Sequence, residues 1–263
     1  MAASGELRRI LARWNIDNAR QEQLAAWTED DTERMLRSRS HAVFSWGHAV
    51  LFFQGAGMTL LVSVIAMMLA VLLGVSLALT RQYGPRALAM LVQAYVEVMR
   101  GTPVLLQLWI LYYGVLDWLR AVIGTRAGSE YDALFAAIVG LGLNYAAYEA
   151  EIFRGGLGAV PAGQMESAHA LGMSTRLAVR RIILPQAARI ALPGMTNDFI
   201  ALLKDSSLVS VITVVELTKR MQITAVDVRS HLVPGLLCAG LYLAMSYPLS
   251  RLSLRLEKKL EGS

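Results

Sequence analysis

The sequence predicts an all-α integral membrane protein, and three features lead there. Of its 263 residues, 55% are hydrophobic and only 17% are charged, against about 25% charged in an ordinary soluble domain. The charges are unevenly placed, crowding into residues 1–40 and into short clusters. Between the clusters lie apolar runs near the length a helix needs to cross a bilayer, about 20 residues. The mean hydropathy of +0.46 agrees with a chain whose solvent is partly lipid.

Five crossings are expected. The first covers residues 46–80 and ends at Arg81; along it Ala66, Ala70, Gly74 and Ala78 recur every four residues, a small-residue stripe that lets a second helix approach closely. Tyr83-Gly84-Pro85-Arg86 forms a turn. A second crossing follows over 87–119, interrupted by Gly101-Thr102-Pro103, and residues 120–132 form a loop with Gly124 and Gly128. The third crossing covers 133–153. A non-spanning stretch over 154–189 holds five arginines. The fourth apolar stretch, 190–215, is broken at Lys204-Asp205, and the last crossing, 232–252, runs into Arg251, Arg255, Lys258 and Lys259.

Two regions result: a polar arm over 1–45 and a transmembrane domain over 46–263. In the arm, Leu7, Ile10, Leu11 and Trp14 recur at helical spacing, and seven acidic residues balance seven basic ones before His41. A solvated or interfacial helix is expected there. The arm has no uninterrupted apolar stretch, so a cleavable secretion signal is not expected, and the first crossing would direct insertion. Arg81, Arg86, the arginines of 154–189 and the basic C-terminus fall on one side of a five-span bundle. That side is expected to be cytoplasmic, because basic loops stay inside.

The net charge of +5 does not point to nucleic acid. The basic residues flank apolar segments and form no stripe interleaved with aromatics, so the bilayer surface is the expected acidic partner. Cys238 is the single cysteine, which leaves no disulfide framework or thiolate metal site. No G-x-x-x-x-G-K-[ST] phosphate loop occurs, and the four histidines assemble with no acidic or serine partner. Ser167 and His169 are two apart and do not meet on a helix. No catalytic residues, metal site or cofactor are expected.

The most informative stretch is Gly163-Gln164-Met165-Glu166-Ser167-Ala168-His169-Ala170-Leu171-Gly172-Met173-Ser174, continuing to Ile182-Ile183-Leu184-Pro185-Gln186. It predicts a short helix, a glycine turn, a basic second helix and a proline stop. Lying between two crossings on the positive side, it suits docking into a groove of a cytoplasmic partner. Small residues allow close approach, Glu166 offers a charge, and Arg176, Arg180 and Arg181 offer donors.

The spacing from Glu166 through Gly172 to Ile182, Leu184 and Pro185 resembles the EAA loop of ABC-importer permeases, closest to the polar amino acid branch. Four further stretches look like that branch: YVEVMRGTPVLLQ from Tyr95, AYEAEIFRGG from Ala147, LPQAARIALP from Leu184 and NDFIALLKDSSL from Asn197. The resemblance covers about residues 50–260, in order. Two departures, Ser167 for alanine and Ser206 for the usual threonine after Asp205, keep size and polarity nearly constant.

The resemblance implies a five-span type I ABC-importer permease bundle in the bacterial inner membrane, moving polar amino acids and not itself an enzyme. It implies a dimer of cytoplasmic ABC ATPase subunits, a second permease subunit, identical or homologous, and an extracytoplasmic amino-acid-binding protein. Gln164, Glu166, Ser167, Ala168, Gly172, Arg181 and Pro185 are the expected ATPase-coupling residues. Glu97 and Arg100, which can pair at i,i+3, and Asn197 and Asp198, ionisable or polar at membrane depth, are the candidates for the substrate pathway. A membrane-embedded enzyme or a scaffold without transport activity are the competing readings; neither explains the loop.

Overall fold

The structure, a computed structural model, describes residues 44–123 and 130–261, with side chains at all of these except 130 and 259–261. The polar arm expected over 1–45 lies, but for its last two residues, outside the described residues, as do Gly124 and Gly128. No strand occurs among the described residues. The fold below is that of the compact unit of residues 46–226 and 230–263.

Helix α1 (Trp46–Tyr83) is followed by α2 (Arg86–Gly101) and α3 (Val104–Trp109). A π-helical segment (Ile110–Leu116) joins α3 to α4 (Asp117–Ile123). Next come α5 (Glu130–Ala159), α6 (Ala162–Ala170) and α7 (Thr175–Ala178), and a second π segment (Val179–Ile183) leads into α8 (Leu184–Asp205). A 3-10 helix (Ser206–Ile212), α9 (Leu217–Asp227) and α10 (Leu232–Glu261) complete the chain.

The core is built on α1 and α5. Ala66, Ala70, Gly74 and Ala78 are all buried, and α1 lies along α5. A Cβ added at Gly74 would stand 2.5 Å from Glu149 Cβ and 3.0 Å from the Ala150 backbone nitrogen. Only glycine fits there, so the expected stripe is the seam between the two helices. One cluster of buried side chains joins Val62, Ala66 and Ala70 to Leu108, Leu141, Tyr145, Leu202 and Ile212. A second joins Ala78 to Phe153, Leu157, Ile183 and Ala187. Helix α8 packs on α5 and α10.

Four described stretches are long and apolar enough to cross a membrane: Trp46–Tyr83, Val104–Ile123, Tyr131–Ala159 and Leu232–Lys258. The expected crossing over 190–215 is not among them. It falls in α8 and the 3-10 helix, where Thr196, Asn197, Asp198, Lys204 and Asp205 dilute the apolar character. The change from α to 3-10 geometry follows Asp205, where the sequence puts its break. The crossing expected over 87–119 is two separate helices. Thr102 is extended at φ −118° and ψ 146°, the conformation that the following proline enforces, and Pro103 starts α3.

The proline stop expected at Pro185 is absent. Pro185 sits in the first turn of α8, where a missing N–H leaves no bond unmade. The wide π turn just upstream, in which Leu184 N–H reaches Val179 O, carries the helical path from α7 into α8.

Candidate functional site

The interruption between α2 and α3 frees backbone carbonyls that need partners at membrane depth. Gln107, one turn into α3, supplies them: its Nε2 reaches Met99 O at 2.9 Å, Thr102 O at 3.2 Å and Thr102 Oγ1 at 2.7 Å. Asn144 of α5 completes the clamp, donating from Nδ2 to Met99 O at 3.1 Å and to Gln107 Oε1 at 3.0 Å. The break is therefore a fixed corner tied to α5.

Beside this corner lies a cleft of about 500 Å³ lined by α2, the start of α3, α5 and α8. Arg100, Asn144, Tyr145, Tyr148, Asp198 and Asp205 give it both signs of charge and aromatic surface. The Arg100 guanidinium stands 5.2 Å from the Tyr148 ring centroid, a cation–π contact. Tyr145 donates to Asp205 Oδ2 at 2.8 Å. Asp198 Oδ2 is buried with no hydrogen-bond partner.

Arg100 and Asp198, far apart in sequence, are thus brought together. The other two pathway candidates are elsewhere. Glu97 is exposed and accepts from Gln93 Nε2 at 2.8 Å, so the Glu97–Arg100 pair does not form. Asn197 joins α8 to α10: its Oδ1 accepts from Ser253 Oγ at 3.0 Å, and its Nδ2 donates to Glu257 Oε1 at 3.5 Å.

The second site is the surface segment from α6 to the start of α8. Pro161 opens α6, whose inward side is Met165 and the buried Ala168. Gln164, Glu166, Ser167 and His169 are exposed, and Leu171 is 81% exposed. Gly172 closes the turn at φ +78° with open space around its Cα; backbone conformation rather than crowding requires glycine here. Ser174 Oγ then accepts from Leu177 N–H at 3.4 Å and caps α7. Gln164 Oε1 accepts from Gln186 Nε2 at 3.4 Å, linking α6 to α8. Arg181 and Pro185 are exposed beside them. Where the segment leaves α5, Glu151 binds both Arg81 and Arg154, the latter at 2.7 Å.

Four further positions matter here, and none was among the four residues expected to form the substrate pathway. Tyr148 and Asp205 line the cleft with Arg100; the contact crosses three helices, and spacing carries no trace of it. Glu149 is fully buried against α1 with both carboxylate oxygens unpartnered. Glu216, between the last two expected crossings, is fully buried and caps α9. Its carboxylate accepts from the backbone N–H of Thr218 at 2.7 Å and of Lys219 at 2.8 Å, and from Tyr242 at 3.0 Å.

The described residues thus form a bundle of long apolar helices with a short exposed helix bound by a glycine turn. The chain belongs to the family described as the binding-protein-dependent transport system inner membrane component, which matches residues 70–262. It is 37% identical over 215 residues to the octopine transport system permease protein OccM of Rhizobium radiobacter, covering 81% of this chain and 87% of that protein. It is 36% identical to the nopaline transport system permease protein NocM of Agrobacterium fabrum, covering 74% and 81%. Among solved structures, an amino acid ABC transporter crystallised with histidines matches at TM-score 0.70 and 34% identity, covering 81% of this chain and 95% of that one. The MetNI methionine ABC transporter matches at TM-score 0.68 and 20% identity, a likeness of fold.

The chain is therefore an inner-membrane permease subunit of an ABC importer, a transport component rather than an enzyme. Such a subunit has ATPase and binding-protein partners.

Proposed function

We propose that this permease moves amino acids inward through the cleft beside Arg100, and that α6 and its glycine turn couple the movement to ATP hydrolysis by separate subunits. One observation carries the reading: the exposed helix α6, anchored by Met165 and Ala168, presents Gln164, Glu166, Ser167 and Leu171 outward. A helix held from behind and free in front is a lever. An ATPase dimer gripping its outer face can transmit closure to α5, which precedes it, and to α8, which follows.

The cleft suits a zwitterion. An α-carboxylate fits the Arg100 fork, an ammonium group fits Asp198 and Asp205, and Tyr148 holds Arg100 in place. Relatives transporting octopine and nopaline agree with a substrate of amino acid character. Glu97 and Asn197 contribute through the stability of α2 and of the α8–α10 contact. A second permease subunit, identical or homologous, completes the pathway. Five crossings, with α8 and the 3-10 helix as the fourth, place residues 154–189 and the C-terminus in the cytosol.

Reconstitution in vesicles with the ATPase and binding protein tests the coupling. Glu166→Ala should leave ATP hydrolysis measurable while amino acid uptake drops severalfold. Unchanged uptake per ATP would remove Glu166 from coupling.

A further inference from the structure

We propose that the basic face near the end of α10 binds the phosphate headgroup of an anionic phospholipid. Arg251, Arg255 and Lys258 are exposed and share one side of the helix with Leu254. Like charges at i,i+3 and i,i+4 repel one another, and no ion pair among the described residues compensates these three. Glu257, between Arg255 and Lys258 in sequence, faces α8 instead, where it accepts from Asn197. Arg251, Arg255 and Lys258 thus face outward on the side away from Glu257.

Arg251 is also pre-set. Its Nε and Nη2 donate to the Tyr247 hydroxyl at 2.9 and 2.7 Å, and its guanidinium lies 5.2 Å from the same ring's centroid. Of a guanidinium's five N–H donors, those not used on Tyr247 remain for an anion, and the rigid fork suits phosphate oxygens.

Position selects lipid as the source of that phosphate. The three cations end a stretch, Leu232–Lys258, that is long and apolar enough to cross a membrane and is little covered by the rest of the chain. Leu243 and Tyr247 continue the same side toward the bilayer interior and are exposed, as is Leu254 among the cations, giving apolar surface for glycerol and acyl groups. Basic side chains at this depth meet headgroups directly.

The test counts lipid bound to the full chain in detergent by native mass spectrometry, with phosphatidylglycerol or phosphatidylcholine added at equal concentration. The wild type should retain phosphatidylglycerol at least about fivefold better. The triple variant Arg251→Gln, Arg255→Gln, Lys258→Gln should lose that preference, whereas Arg176→Gln, Arg180→Gln, which removes exposed charge elsewhere, should keep it. Matching circular dichroism and gel-filtration profiles establish that the variants fold. A triple variant that keeps the preference overturns the proposal. So does displacement of the lipid by millimolar inorganic phosphate, which would make the site one for free anion. Unchanged lipid retention with loss of a co-purifying protein would also overturn it, since the face would then dock protein.

Discussion

Asn144 donates a 3.0 Å hydrogen bond to Gln107 Oε1, and both amides hold the Met99 carbonyl. Through these two side chains α5 fixes the corner between α2 and α3, and with it Arg100 at the rim of the cleft. Asn144 is almost fully buried, so its loss leaves Gln107 Oε1 without this donor and the Met99 carbonyl with one donor instead of two. Asn144→Leu should lower stability by about 1–3 kcal/mol, read as a drop in the detergent melting temperature.

Arg100 and Asp198 are the charges we assign to substrate. Arg100→Gln and Asp198→Asn should each weaken amino acid uptake by about tenfold or more, the worth of a charge-assisted hydrogen bond. Folding and ATPase association should be unaffected. Arg100→Lys should rescue only partly, because a lysine keeps the charge and loses the planar fork over Tyr148. Initial-rate uptake against substrate concentration distinguishes these outcomes.

The Gly172 turn is a second test. With φ at +78° and open space around it, Gly172→Val should add strain of about 1–2 kcal/mol without a clash. Gly172→Asn should be tolerated much better, since asparagine visits this region. ATPase co-purification should follow the same order.

Gly74 behaves in the opposite way. Its φ is ordinary for a helix, but a side chain would strike Glu149 Cβ and the Ala150 backbone. Gly74→Leu should force α1 and α5 apart and sharply reduce the yield of folded protein, measured as monodisperse material in detergent. Gly57→Leu, on the same helix with nothing within 4 Å, is the control and should fold normally.

Much of the fold was legible in the sequence because membrane helices are written in local terms. Apolar runs marked the crossings, the four-residue stripe marked the α1–α5 seam, and Gly101-Thr102-Pro103 marked the corner. The stretch expected as the fourth crossing was harder: its polar residues sit in a helix, α8, that packs on α5 and α10, a tertiary fact. The site was half legible. Arg100 and Asp198 stood out as charges in apolar surroundings, but so did Glu97 and Asn197, and only the helix rotation separates cleft from surface. Asp205 was visible as a charge breaking the fourth apolar stretch, but its role, like the surroundings of Tyr148 and Glu149, depends on neighbours from other helices. Glu216 lay between the last two expected crossings, and an N-cap is recognised only once its helix is seen.

In the proposed function, α6 and its turn face the cytosol and are covered by an ATPase. Labelling Leu171→Cys, in a Cys238→Ser background, with a membrane-impermeant maleimide tests this most directly. Labelling should occur in inverted vesicles stripped of ATPase, be blocked when the ATPase is restored, and be absent in intact spheroplasts. Strong labelling of intact spheroplasts would contradict the account.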